Sequence, residues 1–252
     1  MKMGSLFSGI GGLDLGLERA IPGLQTVWQV EKNSFCRSVL ERHWPDATRY
    51  NNVRTVGAHN LEPIDILCGG FPCQDISIAG KGEGLDGERS GLWWEFHRLI
   101  NELRPRVAVM ENVSAIYVRG LSAVVGSLSQ IGYDCQWTII SAAQCGAPHL
   151  RRRWFGVAYT NSQRIQEQPI WSKSVGTARQ SQCGGSQTSW TKQDYWKGFP
   201  TQSPVCRRDD GVPNRVDRLR ALGNAVVPQC AQWVGQQIVN SGLLEVACSQ
   251  HN

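Results

Sequence analysis

Residues 2 to 20 read KMGSLFSGIGGLDLGLERA. The apolar run from Lys2 to Phe7 predicts a strand, and the glycine-rich turn after it opens a helix that runs to about Ala20. Gly9, Gly11 and Gly12 let the backbone turn tightly and approach a ligand closely. The helix that follows points unpaired N–H groups at the same place. A dinucleotide-binding dehydrogenase requires the spacing G-x-G-x-x-G, and here the last glycine is missing.

The same alternation continues outward from this turn. Leu24 to Val30 reads as a second strand, followed by a helix carrying Phe35, Val39 and Leu40. Ile64 to Cys68 is a buried type of strand. After a long loop, Leu92, Phe96, Leu99, Ile100 and Leu103 fall on one helical face. Strand Val107 to Met110 comes next, then a helix striped by Leu121, Val124, Val125, Leu128 and Ile131. Further strands are expected from about Tyr133 to Ile140 and from about Trp154 to Tyr159. This order predicts an α/β domain over residues 1–159, with a mostly parallel sheet covered by helices on both faces. Residues 160–212 are rich in Gln, Ser, Thr and Trp and poor in aliphatics, so they are expected to form a short, loop-rich insert, partly disordered. Residues 213–252 return to helical pattern. There Cys230, Trp233, Val234 and Ile238 share a face that is expected to pack back on the first domain.

Composition narrows the function classes. The 252 residues carry a net charge of +5, with basic runs HLRRR at 149 to 153 and RVDRLR at 215 to 220, which suits a polyanionic partner. Nine cysteines, none in a C-x-x-C pair, and an opening that leads straight into a strand predict free thiols in a reducing cytoplasm. No zinc-finger spacing and no membrane-length apolar run is present, so neither a metal site nor a membrane partner is expected.

Four places carry chemistry. In GGFPCQ, residues 69 to 74, a strand ends in two glycines and Pro72 fixes the backbone just before Cys73. A thiol at the carboxyl end of a sheet strand stands where open α/β folds bind ligands, and as a thiolate it attacks electrophilic carbon. Cys68, inside the strand, fits a structural role instead. Glu111 ends the next predicted strand and emerges at the same sheet edge. If burial keeps it protonated, it can donate to a heterocycle's ring nitrogen. Its neighbour Asn112 reads as a helix cap. Arg151 and Arg153 point to one side of an extended segment. Glu31, closing the second strand, is placed to accept the hydroxyls of a ribose.

With these residues in place the chain resembles the cytosine-5 DNA methyltransferases, in particular short bacterial and phage examples. DILCGGFPCQDISIAGKGEGLDGERSGLWWEF (65 to 96), MENV (110 to 113), QCGAPHLRRRWF (144 to 155) and ALGNAVVPQ (221 to 229) stand in the family's order. The resemblance covers residues 1 to 160 and about 205 to 240. It implies a Rossmann-like S-adenosylmethionine-dependent methyltransferase fold, with the 160–212 insert as target-recognition region. For S-adenosylmethionine it implies Phe7 at the adenine, Gly9, Gly11, Gly12 and Leu13 around the cofactor, and Glu31 at the ribose. It also places Asn52, Pro72, Leu92 and Asn224 in that pocket. For catalysis it implies Cys73 adding to carbon 6 of a flipped cytosine, Glu111 bonding ring nitrogen 3, and Arg151 and Arg153 anchoring the base. For double-stranded DNA, the expected contacts are Gln74, Lys81, Arg89, Arg164, Lys173, Arg179 and Lys192. Trp171, Trp190 and Trp196 lie among the basic residues of the insert.

The chain departs from the family at Asn52, where an Asp is usual, at Lys32 after the ribose acid, and at His149, where the pattern has Gln. The resemblance further implies a monomer and a cognate restriction endonuclease as partner. Two rivals are carried forward: an RNA (tRNA) cytosine-5 methyltransferase, and a catalytically decayed DNA-binding paralogue.

Overall fold

The structure, a computed structural model, describes residues 1–72, 91–160, 170–171 and 215–244. Its core is one seven-stranded sheet. In chain order the elements are β1 (Lys2–Leu6), α1 (Gly12–Ala20), β2 (Gln25–Val30), α2 (Ser34–His43), β3 (Thr48–Tyr50), β4 (Ile66–Gly70), α3 (Leu92–Leu103) and β5 (Val107–Val113). They continue with α4 (Ile116–Arg119), α5 (Leu121–Gln130), β6 (Tyr133–Ser141), β7 (Arg152–Thr160), α6 (Arg215–Asn224) and α7 (Pro228–Asn240). The strands lie in the order β3-β2-β1-β4-β5-β7-β6. Strands β1 to β5 pair in parallel, while β7 runs antiparallel to both β5 and β6. The chain builds outward from β1 through β2 to β3, then crosses to the other side of β1 for β4. The carboxyl ends of β1 and β4 therefore flank a topological switch point, where open α/β sheets leave a crevice.

Side chains alternate between two apolar cores. On one face Met3, Ile66, Cys68, Val107, Val109, Phe155 and Val157 meet Leu13 and Leu17 of α1 and Cys230, Val234 and Ile238 of α7. On the other, Leu6, Leu67, Ala108, Met110, Trp154 and Ala158 meet Phe96, Leu99 and Ile100 of α3 and Val124 and Leu128 of α5. The period of two along β4 and β5 fills both faces, as a sheet covered on both sides requires. The tail packs back as expected, because α7 docks on α1. There a Cβ on Gly16 would lie 2.4 Å from the Ala231 Cβ, so the helices approach at backbone distance.

Several elements differ from expectation. Strand β1 stops at Leu6, since Phe7 takes φ +52°. The three-residue β3 and the single-turn α4 carry no period of their own. Ile170 and Trp171 fall inside the predicted insert yet join the first core. Ile170 is 1% exposed, its N–H donates to Gln136 Oε1 at 2.9 Å, and the Trp171 ring stacks on Trp233 at 5.7 Å. Trp171, expected among the DNA-facing aromatics, is thus a packing residue, placed there because Trp233 on α7 offers a parallel face. Among the described residues, no helix is long and apolar enough to cross a membrane.

Candidate active site

The crevice at the switch point is a narrow cleft of about 40 Å³. Phe7, Gly9, Gly12, Leu13, Glu111 and Asn224 line it, joined by Asp14, Gly69, Gly70, Ala225 and Val226. Residues from both ends of the sequence therefore converge on one space.

The floor is the turn between β1 and α1. Phe7 sits in the left-handed region, where a residue with a Cβ pays about 1–2 kcal/mol. Its ring stacks on Phe96 at 6.4 Å, which helps hold this conformation. Gly9 also has positive φ (+55°), and a Cβ there would meet nothing within 4 Å, so it faces open space. Gly12 is different. A Cβ on it would lie 2.2 Å from the Val226 carbonyl oxygen, so the 223–226 turn rests directly on the start of α1. Gly12→Ala is expected to force that turn outward, weakening ligand binding in the cleft and lowering stability by roughly 1–3 kcal/mol, as overpacking does. Ligand titration and thermal denaturation measure both, and an alanine variant with unaltered affinity would show that the turn is not a wall of the site.

Glu31 follows β2 and, without lining the cleft itself, bonds the same turn. Its Oε2 accepts from the Gly9 N–H at 2.8 Å and its Oε1 from the Asn33 N–H at 2.7 Å. A carboxylate has about four acceptor positions, so two stay open for hydroxyl donors. Beneath the turn, Asp14 is fully buried and accepts from Ser5 Oγ and Gln29 Nε2, both at 3.0 Å. Burial raises its pKa to about 6. This network was not anticipated, since a polar residue in the first turn of a helix ordinarily reads as a solvated cap.

The edge that carries the candidate catalytic residues lies on β4, β5 and β7. Glu111 pairs with Gly70 across β4–β5 and with Phe155 across β5–β7. It is 7% exposed, and its Oε1 lies 3.1 Å from Arg153 Nε. A Cβ on Gly70 would come within 2.9 Å of Glu111 Oε2, so the glycine makes room for the carboxyl group. Burial raises the pKa of Glu111 to about 7, against the opposing pull of Arg153 and then Arg151. Desolvation wins over two guanidinium groups, and Glu111 holds a proton near neutral pH.

Asn112, read from sequence as a cap, instead anchors the backbone next to the candidate site. It is 2% exposed and its Nδ2 donates to the Phe71 carbonyl at 2.9 Å. The Phe71 ring packs on Trp93 at 5.0 Å and on Phe96 at 6.1 Å. The chain is thereby anchored two residues before Cys73. Its adjacency to Glu111 in MENV was the available signal. Cys73, Gln74, Lys81, Arg89, Arg164, Lys173, Arg179 and Lys192 lie outside the described residues.

Other expected ligand contacts fall elsewhere. Gly11 is the N-cap of α1 and packs against Trp44, whose ring a Cβ would meet at 2.3 Å. Asn52 is exposed and caps the short 3-10 turn Val53–Thr55, its Oδ1 accepting from the Arg54 N–H at 3.0 Å. Leu92 opens α3 and packs on the second core, and Pro72 is exposed. None of these four lines the cleft. Local capping and packing occupy Gly11, Asn52 and Leu92 instead. Arg151, expected at the base, donates from Nη2 to the carbonyls of Gly223 at 2.9 Å and Ala225 at 2.6 Å.

A family model described as C-5 cytosine-specific DNA methylase matches residues 1–198. The chain is 34% identical over 226 residues to the Type II methyltransferase M.CviJI of Paramecium bursaria Chlorella virus IL3A, covering 88% of this chain and 55% of that protein. It is 31% identical over 165 residues to the Type II methyltransferase M.HhaI of Haemophilus parahaemolyticus, covering 64% of this chain and 50% of that one. A crystal structure described as a DNA modification methyltransferase encoded within a prophage (E. coli) superimposes with a TM-score of 0.54 at 28% identity, over 66% of this chain and 48% of the other. The chain thus spans about half the length of these relatives.

Proposed function

The chain belongs to the C-5 cytosine-specific DNA methylases, and from that premise we propose that it transfers a methyl group from S-adenosylmethionine to carbon 5 of a cytosine flipped out of duplex DNA. The observation that carries the reading is Glu111: a buried carboxyl group with a pKa of about 7, on the rim of the cleft floored by Gly9 and Gly12. The residues present suit the cofactor. Gly9 leaves open space, and Glu31 keeps acceptor positions for ribose hydroxyls. Bound there, S-adenosylmethionine supplies an electrophilic methyl group on a sulfonium.

The chain's own residues do the rest. A stacked base is out of reach, so the target cytosine is extruded at a cost of about a few kcal/mol. Carbon 5 is a poor nucleophile until carbon 6 is attacked. The Cys73 thiolate forms a bond to carbon 6 while Glu111 gives its proton to ring nitrogen 3. Electron density then moves to carbon 5, which takes the methyl group. Loss of the carbon 5 proton to a solvent base, rupture of the sulfur–carbon 6 bond and return of the nitrogen 3 proton to Glu111 restore the aromatic ring, the thiolate and the carboxyl group. Arg153, held against Glu111, orients the carboxyl group. In this reading the 160–212 segment selects the target sequence, and the protein acts as a cytoplasmic monomer alongside a cognate restriction endonuclease.

Transfer of radiolabelled methyl groups to unmethylated genomic DNA and to tRNA tests the proposal. Label is expected in duplex DNA as 5-methylcytosine. Label in tRNA alone would replace DNA by RNA as the substrate, and cofactor binding with no transfer to either would favour the decayed, DNA-binding reading.

A further inference from the structure

Residues 223 to 226 form the wall of the cleft contributed by the far end of the chain, and little within that segment holds them. Helix α6 ends at Asn224, and the last carbonyls of a helix lack intrahelical partners. Among the residues of the turn, Asn224 is exposed and Ala225 and Val226 are only half-buried, so burial alone anchors the turn weakly. Yet this turn touches the floor of the site, because the Val226 carbonyl rests against Gly12.

One side chain closes the gap. Arg151 immediately precedes β7, whose pairing with β5 and β6 fixes its backbone. Its Nη2 donates at once to Gly223 O (2.9 Å) and Ala225 O (2.6 Å), the carbonyls on either side of Asn224. Hydrogen bonds from an ionised donor are shorter and stronger than neutral ones, and a cation is favoured at the negative end of a helix. Arg151 is half-buried, which strengthens both effects.

We infer that Arg151 is a positioning residue for the cofactor: by bonding the Gly223 carbonyl at the end of α6 and the Ala225 carbonyl just past it, it holds the Asn224 turn against Gly12 and completes the cofactor cleft. This assigns Arg151 to the cofactor side of the reaction and leaves Arg153, paired with Glu111, as the arginine at the base. The inference rests on the reading of the cleft as the S-adenosylmethionine site.

The two roles separate in the absence of the other ligand. A residue that anchors the flipped base does not alter binding of S-adenosylhomocysteine to the DNA-free protein, whereas a clamp on the cleft wall does. Arg151→Met keeps an unbranched apolar stem, two atoms shorter than arginine, and removes every side-chain donor. It is expected to weaken S-adenosylhomocysteine binding by calorimetry about 10–100-fold, the worth of a charge-assisted hydrogen-bond pair, with affinity of the cofactor-free protein for duplex DNA unchanged. Arg151→Lys, which keeps the charge but is one atom shorter, is expected to lose at least about threefold, and it supplies the reading if the methionine variant does not fold. Unchanged S-adenosylhomocysteine affinity in a folded variant would overturn the clamp. Failure of the wild-type protein itself to bind S-adenosylhomocysteine would instead overturn the cofactor reading, and the clamp with it.

Discussion

Cys73→Ser is expected to reduce methyl transfer by at least about 1,000-fold while S-adenosylmethionine binding stays as it was. The expectation follows from what covalent catalysis requires. A thiol is partly ionised near pH 7 and is intrinsically very nucleophilic, whereas a serine hydroxyl needs an adjacent base. The described residues fix the origin of the segment that carries Cys73: Phe71 is 2% exposed, wedged against Trp93 and Phe96, and its carbonyl is held by Asn112. Gly70, the last residue of β4, stands opposite Glu111. The chain therefore leaves the sheet beside the proton donor. Duplex DNA containing 5-fluorocytosine in place of cytosine sharpens the test, because fluorine replaces the carbon 5 proton that must depart to release the thiol. A denaturation-stable protein–DNA adduct is expected for the wild type and none for the serine variant. Cys68→Ala is the control. Cys68 is fully buried and its thiol is pushed well above the ordinary range by burial, so it is inert, and methyl transfer should survive its loss. Retained transfer by Cys73→Ser would remove the nucleophile assignment.

Glu111→Gln is the second large effect. Loss of a positioned general acid is expected to lower kcat by about 10²–10⁴-fold. The pH dependence gives a finer signature. Glu111 must carry a proton to act, and its pKa lies at about 7, so wild-type kcat/KM should fall as pH rises through about 7. The glutamine variant should lack that limb. Stability follows the same group. Its folded pKa lies above the ordinary 4.5, so between these values the folded state binds more protons than the unfolded one. The favourable contribution is complete below pH 4.5 and is lost as pH rises through about 7. Relative to wild type, Glu111→Gln should therefore gain up to roughly 3 kcal/mol between pH 4.5 and pH 8, read by chemical denaturation at the two ends. A stability difference that does not change with pH would mean that Glu111 is not held protonated by its burial.

The patterns most legible in the sequence were those written in neighbouring residues. The short apolar runs of β4 and β5 and the helical stripes of α3, α5 and α7 placed the strands and their covering helices, because each side chain's face is set by its own backbone. Glu111 was legible as an acidic residue following an apolar strand pattern, although the strand itself continues to Val113. Even these stripes shifted in detail, since Trp93, not Leu92, is buried at the start of α3.

Position within the sequence determined the order of motifs, the glycine turn after β1, and the family resemblance that the match over residues 1–198 bore out. Only the tertiary structure decided what each group spends its hydrogen bonds on. Asn52 and Asn112 are the same residue type, yet one caps an exposed turn and the other pins Phe71. Arg151 and Arg153 are two positions apart, yet one caps a helix end more than 70 residues further on and the other faces Glu111. The antiparallel course of β7 and the burial of Ile170 were hidden in the same way. The physical reason is range. Periodicity and backbone preference act over a few residues, whereas the partner of a guanidinium, an amide or a buried ring is whichever group the folded sheet brings within about 3–4 Å.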